Sequence, residues 1–499
     1  MSERPRARTA EGLVQGRWNQ GHAVFRGIPY AQPPVGALRF AAPVRVPHWE
    51  GARQATEFGP PVPQAGPVRA EVGEDPGSDW LTLNVRTPDL GAAGLPVLVW
   101  IHGGGYLAGT SGDPMYDPTA LSGAGLVVVS LNYRTGAEGF ALLEGAPPNR
   151  GLLDQIAALE WVRRNIASFG GNPDHVTVAG QSAGAGSIAA LLTVASARGL
   201  FRRAVTHSVP GNLCTRALAE EVAAELAGRL GAAPTAAALS ALAPHCLAEA
   251  VTSLGTDLPA HHERWGRLSR IGVATCPVID GDVLTEAPWT ALATGRAPGA
   301  ELLVGHTRDE FRLFSAMSGR VDGFTDEEAR TALDLFAPAP HGPDAYRAAA
   351  PHATPSELLE TVYSDALFRM PSLHLARANA AAGGTSFLFE LCLTAPALGG
   401  LFGACHSLDV PLAFDTLDSP NGRELLGDPP TPEARAASRE LHRAWIRFAT
   451  TGDPGWAAYR PDHQLTRVLD ATSTTARYPE QDSHHIWENH PPTPFTLFS

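Results

Sequence analysis

Three short apolar runs constrain the fold of this chain more than any other feature of its sequence. They occupy residues 95–101 (LPVLVWI), 125–131 (GLVVVSL) and 175–179 (HVTVA), and each is rich in valine and bounded by turn residues. Such runs are typical of strands that are buried on both faces of a parallel sheet. Apolar residues at helical spacing lie between and after them, as at Leu152 and Ile156. This alternation predicts an α/β fold with a parallel or mixed sheet.

Two later segments have a different pattern. Residues 213–270 and 312–380 are rich in alanine and helical in their spacing, and we expect them to form a cap over the sheet. The sequence contains no internal repeat and no convincing linker. We therefore expect one domain over residues 1–499, although length alone would suggest about three.

Composition excludes several classes of function. The 499 residues carry a net charge of −13, and every basic residue other than histidine is arginine. A nucleic-acid surface needs a basic stripe, so we expect no nucleic-acid partner. The sequence has no run of about 18 apolar residues, so we expect no membrane span. Residues 1–10 lack the apolar stretch of a secretory signal. The five cysteines, odd in number and widely spaced, do not suggest a disulfide framework. A cytoplasmic protein is expected.

A candidate nucleophile follows the third apolar run. Gly180-Gln181-Ser182-Ala183-Gly184 matches G-x-S-x-G, in which the serine occupies a sharp turn between a strand and a helix. Small residues on both sides permit that turn, and residues 183–195 can form the helix. The helix N-terminus places positive partial charge beside the hydroxyl. This context favours a catalytic serine over an ordinary serine in a glycine-rich turn.

A glycine-rich loop follows the first apolar run. Residues 102–105 (HGGG) can bring backbone N–H donors close to a substrate oxyanion, where each donor contributes about 3 kcal/mol. The same loop also fits a G-x-G-x-x-A dinucleotide pattern ending at Ala108. That alternative requires a helix directly afterwards and an acidic residue about 20 positions later. Pro114 and Pro118 interrupt any such helix, and the next strand ends in residues 132–134 (NYR), without a carboxylate.

Together these motifs resemble the type-B carboxylesterases, a family that includes bacterial para-nitrobenzyl-type esterases, liver carboxylesterases, cholinesterases and some fungal lipases. The resemblance covers nearly the whole chain. It is carried, in the family's order, by residues 25–31 (FRGIPYA), 33–36 (PPVG), 83–85 (LNV), 102–105 (HGGG), 132–134 (NYR), 151–155 (GLLDQ), 169–173 (FGGNP) and the serine motif. It implies the α/β-hydrolase fold, with a central, mostly parallel, twisted sheet flanked by helices and helical cap insertions.

The resemblance also implies a catalytic triad in the chain order serine, glutamate, histidine. It selects Ser182, Glu310 in residues 305–310 (GHTRDE) and His406 in residues 403–409 (GACHSLD). Asp309 is the alternative acid, and His406 could instead be a buried structural histidine. His102 is interpreted as a loop anchor, and Cys405 as an inert thiol. The oxyanion donors carried over from the family are Gly104, Gly105 and Ala183.

Some residues depart from the family pattern. Val62 and Trp80 stand at the positions of the family's first disulfide, which agrees with a reducing compartment. Glu138 replaces an apolar residue, and we expect it either to line the acyl side of the pocket or to face solvent. Phe311 replaces the glycine after the Asp-Glu pair, which weakens the assignment of Glu310. Arg134 with Asp154 resembles a structural ion pair of the family.

The sequence thus predicts a serine carboxylesterase that hydrolyses carboxylic esters of short to medium acyl chains through an acyl-enzyme on Ser182. Alternatives are an amidase, carbamate or lactone hydrolase with the same triad, or a non-catalytic cholinesterase-like module. No cofactor is expected. No metal is expected either, because the histidine pairs at 261–262 and 484–485 lack ligand spacing such as H-E-x-x-H. The expected partner is a small-molecule ester, and the expected assembly is a monomer or a small homo-oligomer.

Overall fold

A computed structural model describes residues 3–65 and 77–498, and residues 1–2, 66–76 and 499 lie outside the described part. The described strands, in chain order, are β1 (Arg6–Arg8), β2 (Leu13–Gln15), β3 (Arg17–Asn19), β4 (His22–Pro29), β5 (Ala52–Gln54), β6 (Thr82–Thr87), β7 (Leu95–Ile101), β8 (Val127–Leu131), β9 (Gly171–Gln181), β10 (Arg203–His207), β11 (Cys214–Thr215), β12 (Val278–Ile279), β13 (Glu301–Thr307), β14 (Thr385–Leu391), β15 (Leu465–Leu469) and β16 (Thr474–Arg477).

Most of the α-helices lie in the second half of the chain. They are α1 (Thr119–Gly123), α2 (Gly136–Phe140), α3 (Arg150–Asn165), α4 (Ala183–Leu191), α5 (Arg216–Arg229), α6 (Ala236–Ser240), α7 (Pro244–Asp257), α8 (His262–Trp265), α9 (Pro288–Ala293), α10 (Arg312–Met317), α11 (Asp326–Phe336), α12 (Gly342–Ala349), α13 (Pro355–Ser364), α14 (Met370–Ala381), α15 (Asp409–Phe414), α16 (Pro420–Leu426), α17 (Pro432–Thr451) and α18 (Gln481–Trp487).

The central sheet has the strand order β16-β15-β14-β13-β10-β9-β7-β8-β6-β4-β3. The strands from β15 to β8 pair in parallel, whereas β16 at one edge and β6, β4 and β3 at the other are antiparallel to their neighbours. The predicted α/β-hydrolase fold, with a mostly parallel sheet flanked by helices, is confirmed.

Alternating side chains of the central strands enter two different hydrophobic cores. In β7, Val97 and Val99 join the larger core on one face of the sheet, while Leu98 and Trp100 join the other. Successive side chains of a strand point to opposite faces, so a strand covered on both sides has no polar face. This explains the continuous apolar run at 95–101. Because these strands are parallel, their carboxyl ends meet at one edge, where the glycine-rich loop and Ser182 follow β7 and β9.

Both alanine-rich segments expected to form a cap are largely helical. No helix within residues 3–65 and 77–498 has the length and apolar character needed to cross a membrane. Among those same residues, no cluster of three or more histidine, cysteine, aspartate or glutamate side chains could hold a metal ion.

Candidate active site

Ser182 lies at the sharp turn between β9 and α4. Its φ of 55° and ψ of −126° place a non-glycine residue in a strained backbone conformation. The Ser182 amide donates to the carbonyl of His207 on the neighbouring strand, at 2.9 Å, and the Ser182 carbonyl accepts from the amide of Gly186. These bonds hold the turn in place, and the serine lines a mostly apolar cavity beside it.

The two glycines of the serine motif are required by close backbone contacts. A Cβ added at Gly184 would lie 2.0 Å from the carbonyl oxygen of Ile101, and one at Gly180 would lie 2.7 Å from the backbone of Gly184. At these two positions, strand β9 and the first turn of α4 therefore pack too closely to admit a side chain. The spacing of the motif follows from this packing.

Three backbone amides are the candidate donors of an oxyanion hole. Gly104, with φ of 106°, and Gly105, with φ of 62°, adopt conformations that favour glycine. Neither amide donates to an acceptor in the described ranges. Ala183 is the first residue of α4, so its N–H has no partner within the helix. All three residues line the same cavity as Ser182, and their amides are available to a bound oxyanion.

His406 and Glu310 are in direct contact behind this cavity. His406 Nδ1 lies 2.5 Å from Glu310 Oε2, and Glu310 is completely buried. The other carboxylate oxygen, Oε1, accepts from the hydroxyl of Ser208 at 2.6 Å and from the amide of Thr307 at 2.8 Å. Three hydrogen-bond partners therefore fix the carboxylate, which in turn orients the imidazole.

Asp309, the alternative acid, faces a different environment. Its carboxylate contacts the guanidinium of Arg308 at 3.1 Å and accepts from the amide of Ala404 at 2.8 Å. Its own amide donates to the Ala404 carbonyl. Asp309 thus ties the loop that carries His406 to the end of β13, and the structure brings Glu310 rather than Asp309 to the imidazole.

Gln181 contacts the other nitrogen of His406, a relationship that the sequence did not suggest. Gln181 Nε2 lies 3.0 Å from His406 Nε2. An amide N–H can donate to this nitrogen only if the imidazole proton is on Nδ1, the side that faces Glu310. That tautomer leaves a lone pair on Nε2, which is the state that a general base requires. In this structure, however, the amide occupies the position that a serine hydroxyl would approach.

The cavity that contains these groups has a volume of about 400 Å³. Its apolar wall includes Phe314 and Phe368, whose ring centroids lie 5.5 Å and 4.4 Å from the His406 ring. Ile271, Val273 and Leu367 complete much of the rest. Phe314, Leu367 and Phe368 belong to the second predicted cap segment, 312–380. None of the lining residues falls within the first predicted segment, 213–270, and Ile271 and Val273 lie just after it. The second cap segment and the stretch that follows the first one therefore build this apolar wall.

Two expectations about individual residues were wrong or incomplete. Glu138 neither faces solvent nor lines this cavity: it is 2% exposed and pairs with the Arg39 guanidinium at 2.6 Å. A buried arginine provides the counter-charge that this position needs, and sequence spacing gave no sign of a partner 99 residues away. Phe311 does not displace Glu310, because its ring turns into the cavity wall and stacks on Tyr363 at 4.4 Å between centroids.

Other interpretations agree with the structure. His102 Nδ1 contacts the Gly103 carbonyl at 2.8 Å, its ring stacks on Tyr133, and burial lowers its pKa to about 4. It therefore stays neutral at ordinary pH and anchors the loop. Burial likewise raises the pKa of the Cys405 thiol to about 12, which makes it unreactive. Arg134 and Asp154 form a fully buried ion pair at 2.7 Å.

Sequence reasoning did not identify Ser208 and Gln181 as parts of the site. Ser208 follows directly after β10, the strand beside β9, and the carboxyl ends of parallel strands meet at one edge. The position of Ser208 at the end of this strand would have indicated from the sequence that it lies near the site. For Gln181, no signal short of the structure indicates which way the side chain points.

The site combines a strained serine, a buried histidine–carboxylate pair and free backbone amides in an apolar cavity. A hydroxyl nucleophile, a base and an oxyanion hole are the components of acyl transfer from esters.

Residues 3–487 match the sequence profile described as the carboxylesterase family. The para-nitrobenzyl esterase of Bacillus subtilis is 36% identical over 495 residues, with coverage of 95% of this chain and 96% of that protein. The phenmedipham hydrolase of Pseudarthrobacter oxydans is 34% identical, with coverage of 94% and 96%.

Solved structures show the same relationship. The crystal structure of the Geobacillus stearothermophilus carboxylesterase at pH 6.2 superposes with a TM-score of 0.85, at 33% identity, over 97% of this chain and 99% of that chain. A para-nitrobenzyl esterase structure superposes with a TM-score of 0.83, at 34% identity, over 97% and 100%. The chain therefore belongs to the carboxylesterase family, and it is a serine carboxylesterase that hydrolyses small-molecule carboxylic esters.

Proposed function

We propose that Ser182, His406 and Glu310 are the catalytic triad of this carboxylesterase. The observation that carries the proposal is the 2.5 Å contact between His406 Nδ1 and Glu310 Oε2, at a histidine that shares one cavity with Ser182. The strained backbone of Ser182 supports it further, because such strain is characteristic of functional turns.

In the acylation half, His406 accepts the proton of the Ser182 hydroxyl at Nε2 while the oxygen attacks the ester carbonyl carbon. For this step the side-chain amide of Gln181 must turn away from Nε2. The carbonyl π bond breaks, and its electron pair becomes the oxyanion. We assign the stabilisation of that oxyanion to the backbone amides of Gly104, Gly105 and Ala183.

Collapse of the intermediate breaks the bond to the alcohol, and the imidazolium of His406 gives its proton to the departing oxygen. Water then attacks the acyl-enzyme, with His406 again as the base, and the carboxylic acid leaves. Glu310 fixes the imidazole tautomer and stabilises the imidazolium at each stage. The chemistry requires no cofactor.

We also propose that the enzyme prefers esters of short to medium acyl chains. The catalytic cavity of about 400 Å³ falls within the usual size range of small-molecule sites. A second cavity of about 500 Å³ adjoins it, and Ile271, Phe311 and Phe314 line both. These mostly apolar walls favour uncharged acyl and alcohol groups of moderate size.

The test is hydrolysis of para-nitrophenyl esters, from acetate to decanoate, by the wild type and by Ser182→Ala. We expect a maximum of kcat/KM at an intermediate chain length and a loss of at least about 10³-fold in the variant. Ser168→Ala, at an exposed serine, is the matched control and should retain full activity. Full activity of Ser182→Ala would reject the proposed nucleophile.

Hydrolysis of other acyl compounds is a second candidate activity. One relative, 34% identical along 94% of this chain, is named a phenmedipham hydrolase. Phenmedipham is therefore a substrate to test beside the ester series, with Ser182→Ala as the blank. Turnover by the wild type alone would extend the substrate range of the same site.

We further propose a cytoplasmic monomer or small homo-oligomer without a nucleic-acid partner. The cysteines of the described chain are free, which is compatible with a reducing compartment. The acidic net charge of −13 supports the absence of a nucleic-acid partner. Light scattering coupled to size-exclusion chromatography measures the oligomeric state directly.

A further inference from the structure

Two buried cysteines far apart in the sequence have their sulfur atoms in contact. Cys214 Sγ and Cys276 Sγ lie 3.1 Å apart, and the residues are 3% and 2% exposed. Cys214 opens strand β11, and Cys276 lies two residues before β12, which pairs with β11 in parallel. The Cys214 amide donates to the Pro277 carbonyl at 3.0 Å. The backbone of both strands therefore holds the two side chains together.

The distance between the sulfurs is close to what a covalent bond requires. A disulfide has a sulfur–sulfur length of about 2.05 Å, so the two atoms need to approach by only about 1 Å. Cys246, Cys392 and Cys405 have no sulfur partner within the described ranges. The pair is thus distinct from the other thiols of the chain, and neither member takes part in the proposed mechanism.

We propose that Cys214 and Cys276 form a modification site at which a hydroperoxide converts the dithiol into a disulfide. The attacking thiol loses its proton and its sulfur displaces alkoxide, or hydroxide for hydrogen peroxide, from the oxygen–oxygen bond. This yields a sulfenic acid and an alcohol or water. The second thiol attacks that sulfur and expels water, and the sulfur–sulfur bond forms. The two thiols are oxidised by two electrons, and the hydroperoxide is reduced by two.

The surroundings of the two sulfurs bear on how the reaction proceeds. The half-buried guanidinium of Arg267 interacts electrostatically with Cys214. The hydrogen bond with Cys214, followed by burial, raises the pKa of the Cys276 thiol well above its usual value. Either thiol can attack the hydroperoxide, and the other then resolves the sulfenic acid. Because both are buried, the reaction waits for local opening and is slow.

The bond would close a long loop at the base of the first cap segment. Helices α5 to α8 all lie between Cys214 and Cys276. Asn212 and Val273, two and three residues from the sulfurs, line the catalytic cavity. A cross-link at this point restricts the unfolded chain and ties together two strips of the cavity wall. Oxidation should therefore raise the resistance of the enzyme to heat.

The experiment is peptide mapping of the folded enzyme after treatment with hydrogen peroxide, quenching with catalase and alkylation. Trypsin cleaves this lysine-free chain only at arginine, so Cys214 lies in the peptide 204–216 and Cys276 in the peptide 271–296. We expect these peptides to appear joined, at the sum of their masses minus two hydrogens, and to separate after dithiothreitol. The melting temperature should rise by a few degrees and return on reduction.

Variants separate the pair from the other thiols. Cys214→Ser and Cys276→Ser should each abolish the joined peptide and the thermal shift, whereas Cys246→Ser should change neither. The map of the wild type decides the matter even if a pair variant folds poorly. Recovery of both peptides separately, alkylated or carrying a sulfinic acid, under conditions that oxidise the partly exposed Cys246 would overturn the proposal.

Discussion

Glu310 Oε2 lies 2.5 Å from His406 Nδ1, in a pocket where the carboxylate has no exposed surface. The opposite carboxylate oxygen is occupied by Ser208 and the Thr307 amide. Rotation of the carboxylate is therefore blocked from both sides, and the imidazole is held in one tautomer. This relationship explains how a glutamate 96 residues earlier in the sequence fixes the imidazole of His406, the base that we propose for Ser182.

Replacement of Glu310 by glutamine should lower kcat by about 10³–10⁴-fold. The new amide oxygen would keep the bonds from Ser208 and Thr307, so its NH₂ group would face His406 Nδ1. The proton would then move to Nε2, which can no longer accept from the serine hydroxyl. Glu424→Gln, at an exposed glutamate, is the control. Steady-state rates with para-nitrophenyl acetate measure the effect, and a loss below tenfold would contradict it.

Gln181→Met should accelerate acylation severalfold. The amide that contacts His406 Nε2 would be replaced by a side chain of similar size that cannot donate, and one hydrogen bond of about 1 kcal/mol corresponds to about fivefold. The amplitude and rate of the pre-steady-state burst of para-nitrophenol isolate this step. A slower burst would show that Gln181 assists the reaction instead of competing with the serine.

Gly184→Ala should destroy the nucleophile turn, because the new methyl group would lie 2.0 Å from the Ile101 carbonyl oxygen. We expect a loss of more than 100-fold in kcat/KM or a failure to fold. Gly228→Ala is the matched control: Gly228 lies in helix α5 with open space around its Cβ position. Alanine there should preserve activity and stabilise the fold by about 0.5–1 kcal/mol. Equal activity of the two variants would contradict the packing argument.

Acid should destabilise the protein through three buried histidines. Burial lowers the pKa values of His102, His306 and His374 to about 4, whereas the unfolded value is about 6.5. Between these values the unfolded state binds more protons, so stability falls as the pH falls from 6.5 towards 4. At pH 5 each histidine should cost about 2 kcal/mol. Urea unfolding at pH 7.5 and pH 5 measures the loss, which should be smaller in His374→Gln by one histidine's share.

The buried pair of Arg39 and Glu138 should show strong coupling. Glu138→Leu alone leaves a guanidinium buried without its counter-charge and should cost about 3–5 kcal/mol. The double variant Arg39→Met, Glu138→Leu removes both charges and should recover most of that loss. Midpoints of urea unfolding for the wild type, both single variants and the double variant form the cycle. Additive effects would show that the two side chains do not depend on each other.

Features that arise from local chemistry are readable in the sequence alone. The valine-rich run at 95–101 is a central strand because both of its faces are buried. The glycines around Ser182 indicate a tight turn, because no side chain fits at Gly180 or Gly184. Motifs of this kind depend on neighbours in the chain, and they were readable without coordinates.

Contacts between groups that are distant in the sequence follow from the packing of the whole chain. It brought Glu310, not Asp309, to His406, turned Gln181 towards the imidazole, buried Glu138 against Arg39 and placed Cys214 beside Cys276. Each of these contacts joins different elements, and its partner is fixed by strand order and side-chain direction. Residue types and their spacing specify neither the strand order nor the side-chain direction, because both arise only when the sheet and the cap pack together.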